Sequence, residues 1–168
     1  MMKKLLITLF SVFSMANVNA ATLTADTGWS SFLFDGTGSS WSETFTFTIT
    51  ETSTLTVTDA FLSGDIFEVF SDGTSLGRTS TPTSFDQQTF SNYDAAAADS
   101  RWSTGIWAFL AGTYTISGIS FDSPFDYGRA ALKLDTGVSA VPVPAALFLF
   151  APALLGLLGL RRKAVATA

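Results

Sequence analysis

Trp41-Ser42-Glu43-Thr44-Phe45-Thr46-Phe47-Thr48-Ile49-Thr50-Glu51-Thr52-Ser53-Thr54-Leu55-Thr56-Val57-Thr58 is the stretch that decides the fold. Phe45, Phe47 and Ile49 alternate with Thr44, Thr46, Thr48 and Thr50, and Leu55 and Val57 alternate with Thr54, Thr56 and Thr58. Successive side chains of a strand point to opposite faces, so this pattern puts the apolar groups on one face and the threonines on the other. It predicts a pair of half-buried strands with Glu51-Thr52-Ser53 as the turn between them. The threonine rows have two readings. One is a flat hydroxyl array facing a ligand, as on ice-binding or glycan-binding surfaces. The other, which we favour, is that threonine is a good strand former on a solvated face.

The same signals extend in both directions. Upstream, Phe32 and Phe34 share parity ahead of the turn Asp35-Gly36-Thr37-Gly38, which predicts a short edge strand. Downstream, Ile66 to Phe70 reads as a strand carrying Glu68 outward, and Ser71-Asp72-Gly73-Thr74 as a hairpin turn with Asp-Gly at its centre. Residues 79–99 lack periodicity and read as a long exposed loop with one helical turn at Ala95 to Ala98. Residues 101–109 are rich in aromatic and aliphatic groups. Tyr114 and Ile116 share one face of a strand over 113–121, and Ala130, Leu132 and Leu134 point inward from a last strand over 129–135. Seven or eight short strands with almost no helix predict an all-β antiparallel sandwich over residues 21–140.

Both flanks differ in kind. Residues 1–20 have the layout of a secretory signal peptide: Lys3 and Lys4, an apolar run from Leu5 to Met15, and Val18-Asn19-Ala20 before an expected cleavage after Ala20. Residues 141–168 read V-P-V-P-A-A-L-F-L-F-A-P-A-L-L-G-L-L-G-L-R-R-K-A-V-A-T-A. Pro142 and Pro144 stiffen an extended hinge, because each fixes its own φ and restrains the residue before it. The uncharged run Ala145 to Leu160 is 16 residues long. Counted from Val141 it is 20, which meets the length of about 20 apolar residues that a spanning helix needs. Arg161, Arg162 and Lys163 close it as a stop-transfer signal and place that end in the cytoplasm. The exported part should then lie outside the inner membrane.

Val141-Pro142-Val143-Pro144-Ala145-Ala146, the apolar helix with Gly156-Leu157-Leu158-Gly159-Leu160, and the closing Arg161-Arg162-Lys163 together resemble the PEP-CTERM sorting tail of Gram-negative bacteria, in its V-P-x-P-A-A variant. The resemblance implies export through the Sec translocon, transient anchoring in the inner membrane, recognition by an exosortase and cleavage near the proline motif. Val143 stands where the founding motif has glutamate. The sorting motif is carried by Val141, Pro142, Val143, Pro144, Ala145, Arg161, Arg162 and Lys163. A eukaryotic lipid-anchor signal is the alternative for the tail, but such signals end in their hydrophobic run, and here a basic cluster follows it. The stretches D-I-F-E-V-F-S-D-G-T-S-L-G-R-T-S, D-A-A-A-A-D-S-R-W-S-T-G-I-W-A-F-L-A-G-T-Y-T-I-S-G-I-S and S-P-F-D-Y-G-R-A-A-L-K-L-D are similar to a group of secreted proteins, often with this tail, that carry a jelly-roll or CUB-like sandwich. That likeness implies fold and export and carries no catalytic signature.

Composition narrows the chemistry. Cysteine and histidine are both absent, which removes disulfides, thiolate nucleophiles, the commonest general base and the commonest metal ligand. The whole chain carries −5; five of its nine cationic residues lie in the two flanks and all fourteen acidic ones between them, so the exported part carries −10. Such a domain repels nucleic acid and anionic lipid, which leaves neutral glycans, cations and proteins as partners.

Three candidate functions follow. The leading one is a non-enzymatic exported surface or extracellular-matrix protein, sorted and cleaved at its tail, with extracellular polysaccharide as a partner. The second is a glycan-binding module, with Trp29, Trp41, Trp102 and Trp107 as stacking rings. It could be calcium-dependent: Asp59, Asp65, Glu68 and Asp72 are four hard oxygen ligands within 14 residues, although their spacing matches no EF-hand. The third is a glycoside hydrolase working with two carboxylates. The domain offers Glu43, Glu51 and Glu68 with no aromatic cleft motif around them; Gly73-Thr74-Ser75-Leu76-Gly77 fits the G-x-S-x-G pattern, but the chain has no histidine to activate a serine, so we expect no enzyme. No cofactor other than calcium is expected.

Overall fold

The alternating stretch becomes β3 (Glu43–Ile49) and β4 (Ser53–Asp59) in the computed structural model, which describes residues 19–85 and 87–137. These two strands do not pair with each other. β3 belongs to one sheet and β4 to the other, so the expected strand pair is corrected to a crossing between layers. A period of two fixes which face of a strand is buried; it does not fix which strand lies alongside. Phe45, Phe47 and Ile49 instead face the Leu55 and Val57 side of the opposite sheet across a common core.

The remaining strands are β1 (Asn19–Thr22), β2 (Ser30–Asp35), β5 (Phe61–Leu62), β6 (Ile66–Ser71), β7 (Thr74–Arg78), β8 (Gln88–Phe90), β9 (Thr104–Phe109), β10 (Gly112–Asp122) and β11 (Tyr127–Thr136). One sheet has the order β1-β3-β10-β6-β7 and the other β2-β11-β4-β9, with β5 and β8 forming a small third sheet. All pairs in the two main sheets are antiparallel except β1 with β3. Without β1, β5 and β8, the pairs β2–β11, β3–β10, β4–β9 and β6–β7 are the successive rungs of one long folded hairpin. Its strands alternate between sheets, which is the strand order of a jelly roll.

That topology gathers connections at two ends. The β2–β3, β4–β6, β7–β9 and β10–β11 connections lie together at one end. There Thr37 bonds Ser123, Ser123 bonds Asp65, and Ser63 bonds Ser84. The β3–β4 turn and the β6–β7 hairpin lie at the other, where Gly137 donates to Thr52. Asp72 and Gly73 form the hairpin tip with φ of 50° and 79°, as the Asp-Gly pair predicts. Edge strand β2, the outward Glu68 and the inward Ala130, Leu132 and Leu134 also follow the sequence reading. Residues 79–99 hold more order than expected. Helix α1 (Tyr93–Ala97) starts two residues earlier than the expected turn, capped by the Asn92 side chain, and strand β8 pairs with β5.

The expected cleavage after Ala20 falls inside β1 and leaves Ala21 and Thr22 opposite Phe45 and Thr46. The rest of the expected signal peptide, and the tail with the helix expected over 145–160, lie outside the described residues. Among the described residues no helix is long and apolar enough to cross a membrane.

The core is aromatic. Phe32 stacks on Trp41 with ring centroids 3.9 Å apart, and Phe67 sets its edge against Phe32, Phe34 and Trp41. Gly118 makes room for this group, since a Cβ there would run into the Trp41 indole. Gly118→Ala should therefore cost about 1–3 kcal/mol by overpacking, and lower the melting temperature by roughly 5–15 °C. A circular dichroism melt within about one degree of the parent protein would show that the indole does not sit there.

Candidate functional site

Of the four expected metal ligands, two come together and two do not. Asp59 closes β4 and Asp65 precedes β6, so the short β4–β6 connection returns one carboxylate onto the other. Asp59 is fully buried. Its Oδ1 accepts from the Ala60 amide at 2.7 Å, and its Oδ2 accepts from the Gly64 and Asp65 amides at 3.1 and 3.2 Å. Asp65, 2% exposed, accepts from the Ser123 hydroxyl at 2.5 Å. Glu68 points out from β6, accepting from Ser75 and lying 3.7 Å from the Arg78 guanidinium. Asp72 sits at the opposite end of the sandwich, where it accepts from the Thr115 amide. The calcium site expected from these four acids is thus corrected: they occupy two ends and two faces. No group of three or more acidic side chains placed for a metal occurs among the described residues.

The four tryptophans also separate. Trp41 and Trp102 are 4% and 2% exposed, so neither can present a face to a sugar; both are packing residues. Trp107 is half-buried against the core, and its Nε1 donates to the Leu76 carbonyl at 3.0 Å, tying β9 to β7 across the open side of the sandwich. Trp29 is half-buried at the surface, with Nε1 bonded to Asp94, its ring 5.8 Å from that of Tyr93, and Lys133 Nζ 5.1 Å from its centroid. The threonine rows of β3 and β10 lie side by side on the outer face of their sheet, with Thr48 and Thr113 hydroxyls 2.9 Å apart.

A further site shares only Asp65 with the expected residues. A cleft of about 710 Å³ opens at the loop-rich end, on the outer face of the β2–β11–β4–β9 sheet. Leu33 and Arg129 lie opposite each other on β2 and β11, and Tyr127 lies opposite Asp35; they face away from the core because Phe32, Phe34 and Ala130 face into it. Phe61, Phe125, Asp126 and the nearly buried Asp65 also line it. Phe61 has a φ of 62°, a left-handed conformation that a non-glycine residue adopts only when its surroundings hold it there. The Asp59 cradle on one side and the pairing of Phe61 with Phe90 on the other supply that hold. The sequence signal was present but weak: Ser123-Pro124-Phe125-Asp126-Tyr127-Gly128 is an aromatic-rich loop between two strands.

No protein-family model matches the chain, and no curated protein does. Two solved structures are similar in outline. One is the pre-peptidase C-terminal domain of a collagenase from Bacillus anthracis, at 10% identity and a TM-score of 0.41, covering 70% of this chain and 93% of that one. The other is a beta-glucosidase from Paenibacillus barengoltzii, at 16% identity and a TM-score of 0.38. Its match covers 70% of this chain and 11% of the glucosidase.

The acid pair makes stability depend on pH. Burial pushes the Asp65 carboxyl up to about 6 from 3.8, against the hydrogen bonds that Ser123 and Asp59 give it, with Asp122 adding to the rise. Burial, and then the charge of Asp65, also raise Asp59 well above the ordinary carboxylate range, opposed by its three amide donors. Between about pH 4 and 6 the folded protein holds a proton that the unfolded chain has released. Stability from this site is therefore greatest near pH 4 and falls as pH rises through 6. Hydrogen bonds from Thr136 and Arg101 hold Asp26 and Asp99 below their ordinary values, so their contribution is lost only on further acidification. A melt series from pH 4 to 8 should show the melting temperature falling by a few degrees, with a flatter profile in Asp65→Asn. A profile that rises over this range in the parent protein would contradict the buried pair.

Calcium should shift the melt no further than sodium chloride of matched ionic strength, because the four acids are dispersed. A calcium-specific shift that disappears in Asp65→Asn would overturn this.

Proposed function

We propose that the chain is an exported, non-enzymatic surface or matrix protein, whose jelly roll is the delivered module and whose C-terminal tail is the sorting signal. The observation that carries this reading is the order of parts along the sequence: signal peptide, β domain, V-P-V-P motif, uncharged run and Arg161-Arg162-Lys163. Strand β11 ends at Thr136, so the motif begining at Val141 follows the folded domain almost directly, and a cut there would release the sandwich whole. The deepest carboxylate, Asp59, is fully engaged by backbone amides, and Glu68 by Arg78 and Ser75, which supports a structural rather than a chemical use of these acids. An exosortase, the Sec translocon and extracellular polysaccharide are the partners this reading assigns, with the cell surface or the medium of a Gram-negative bacterium as its place.

Intact-mass analysis of the surface or secreted form, from cells with an active exosortase, should show loss of the segment beyond about Val141. Replacing Pro142 and Pro144 by alanine should leave the tail attached. If the mature parent protein retains Leu154 to Lys163, sorting by cleavage is wrong and a permanent C-terminal anchor takes its place.

A further inference from the structure

We infer that the loop-end cleft between β2, the Ala60–Leu62 segment and the 123–126 connection is a binding site for a neutral saccharide chain. This goes beyond the sorting reading and does not depend on it. The strongest observation is Tyr127, which is 80% exposed although it is paired with β2 in the sheet, and which shares the cleft lining with Phe125 and Phe61. A solvent-facing ring on a rigid strand offers the apolar surface on which the C–H face of a pyranose packs.

Sugar hydroxyls donate and accept together, and the cleft supplies both roles. Asp126 is an acceptor and the Arg129 guanidinium a fork of donors. Among the described residues neither is held in a salt bridge or side-chain hydrogen bond, so their polar atoms are free for a ligand. Arg129 is instead placed by Phe61, its guanidinium carbon lying 5.9 Å from that ring centroid.

The walls are set in advance. The Asp59 cradle fixes the Ala60–Asp65 segment, and Ser123 links the 123–126 connection to Asp65 and to the Phe125 carbonyl. Binding then orders little chain, which lowers its entropic cost. The volume, about 710 Å³, lies within the range of small-ligand clefts.

Charge selects the ligand class. Asp65 and Asp126 outnumber Arg129 in the lining, on a domain that is acidic throughout, so a polyanion is disfavoured.

The test is calorimetric titration of the secreted protein with gluco-, manno- and xylo-hexaoses of β-1,4 linkage, maltohexaose, and polygalacturonate as the anionic probe. At least one neutral oligosaccharide should bind saturably, with Kd of about 0.1–1 mM. Tyr127→Ala and Arg129→Gln should each weaken that binding about tenfold or more, the loss of one stacking face or one donor fork. Leu110→Ala, at an exposed residue outside the cleft, should leave binding unchanged. Melts of each variant check that the fold survives, as expected for side chains this exposed. Failure of every neutral probe to bind by about 10 mM overturns the proposal. So does undiminished binding in Tyr127→Ala, or binding of polygalacturonate alone.

Discussion

Phe67 is the contact on which both layers of the sandwich depend. It projects from β6 into the opposite sheet and meets Phe34 at 4.9 Å and Phe32 at 5.7 Å, both on β2, with Trp41 at 6.1 Å. Edge-on arrangements of this kind add to the gain from simply burying the rings. Their effect here is positional: β2 is an edge strand with a single ladder partner, and its two phenylalanines gripping Phe67 hold it over the core. β2 also carries Leu33 on its reverse side, so the outer cleft takes its shape from an inner contact.

The second constraint is the pair of buried carboxyl groups at the β4–β6 connection. A carboxylate removed from water is unfavourable unless hydrogen bonds replace its hydration. Asp59 takes three backbone amides in exchange, which folds residues 60–65 around it and leaves Phe61 in a left-handed conformation. Asp65 then repeats the arrangement with Ser123, joining that segment to the β10–β11 connection. Two acids that read in the sequence as possible cation ligands are in use as internal anchors for loops.

The strands were legible because their pattern is local. Phe45, Phe47 and Ile49, or Ala130, Leu132 and Leu134, announce their burial by parity alone, and Asp72-Gly73 announces its hairpin by the φ values that only such residues accept easily. Partnership was not legible. Whether β4 lies beside β3 or across from it depends on residues 46 or more positions away in β9 and β11. The same holds for the tryptophans: Trp41 and Trp29 look alike in sequence, yet one is sealed beneath Phe32 and the other bonded at the surface to Asp94. The cleft was missed because its lining joins stretches far apart in the chain: Leu33, the segment of Phe61 and Asp65, and the segment of Phe125 and Tyr127.

The last strand also gives the domain a direction. β11 begins at the cleft with Tyr127 and runs ten residues to Thr136, whose amide and hydroxyl are both clasped by Asp26. At the usual rise of about 3.3 Å per residue, that is a separation of about 30 Å. The chain thus departs from the base of the molecule while the aromatic rings sit at its crown. A domain tethered through residues beyond Gly137, to a membrane or to a matrix, would hold its cleft at the far end from the point of attachment. Asp26 acts there as a clamp, so tension on the tail would be borne by side-chain hydrogen bonds at the base before it reached the crown.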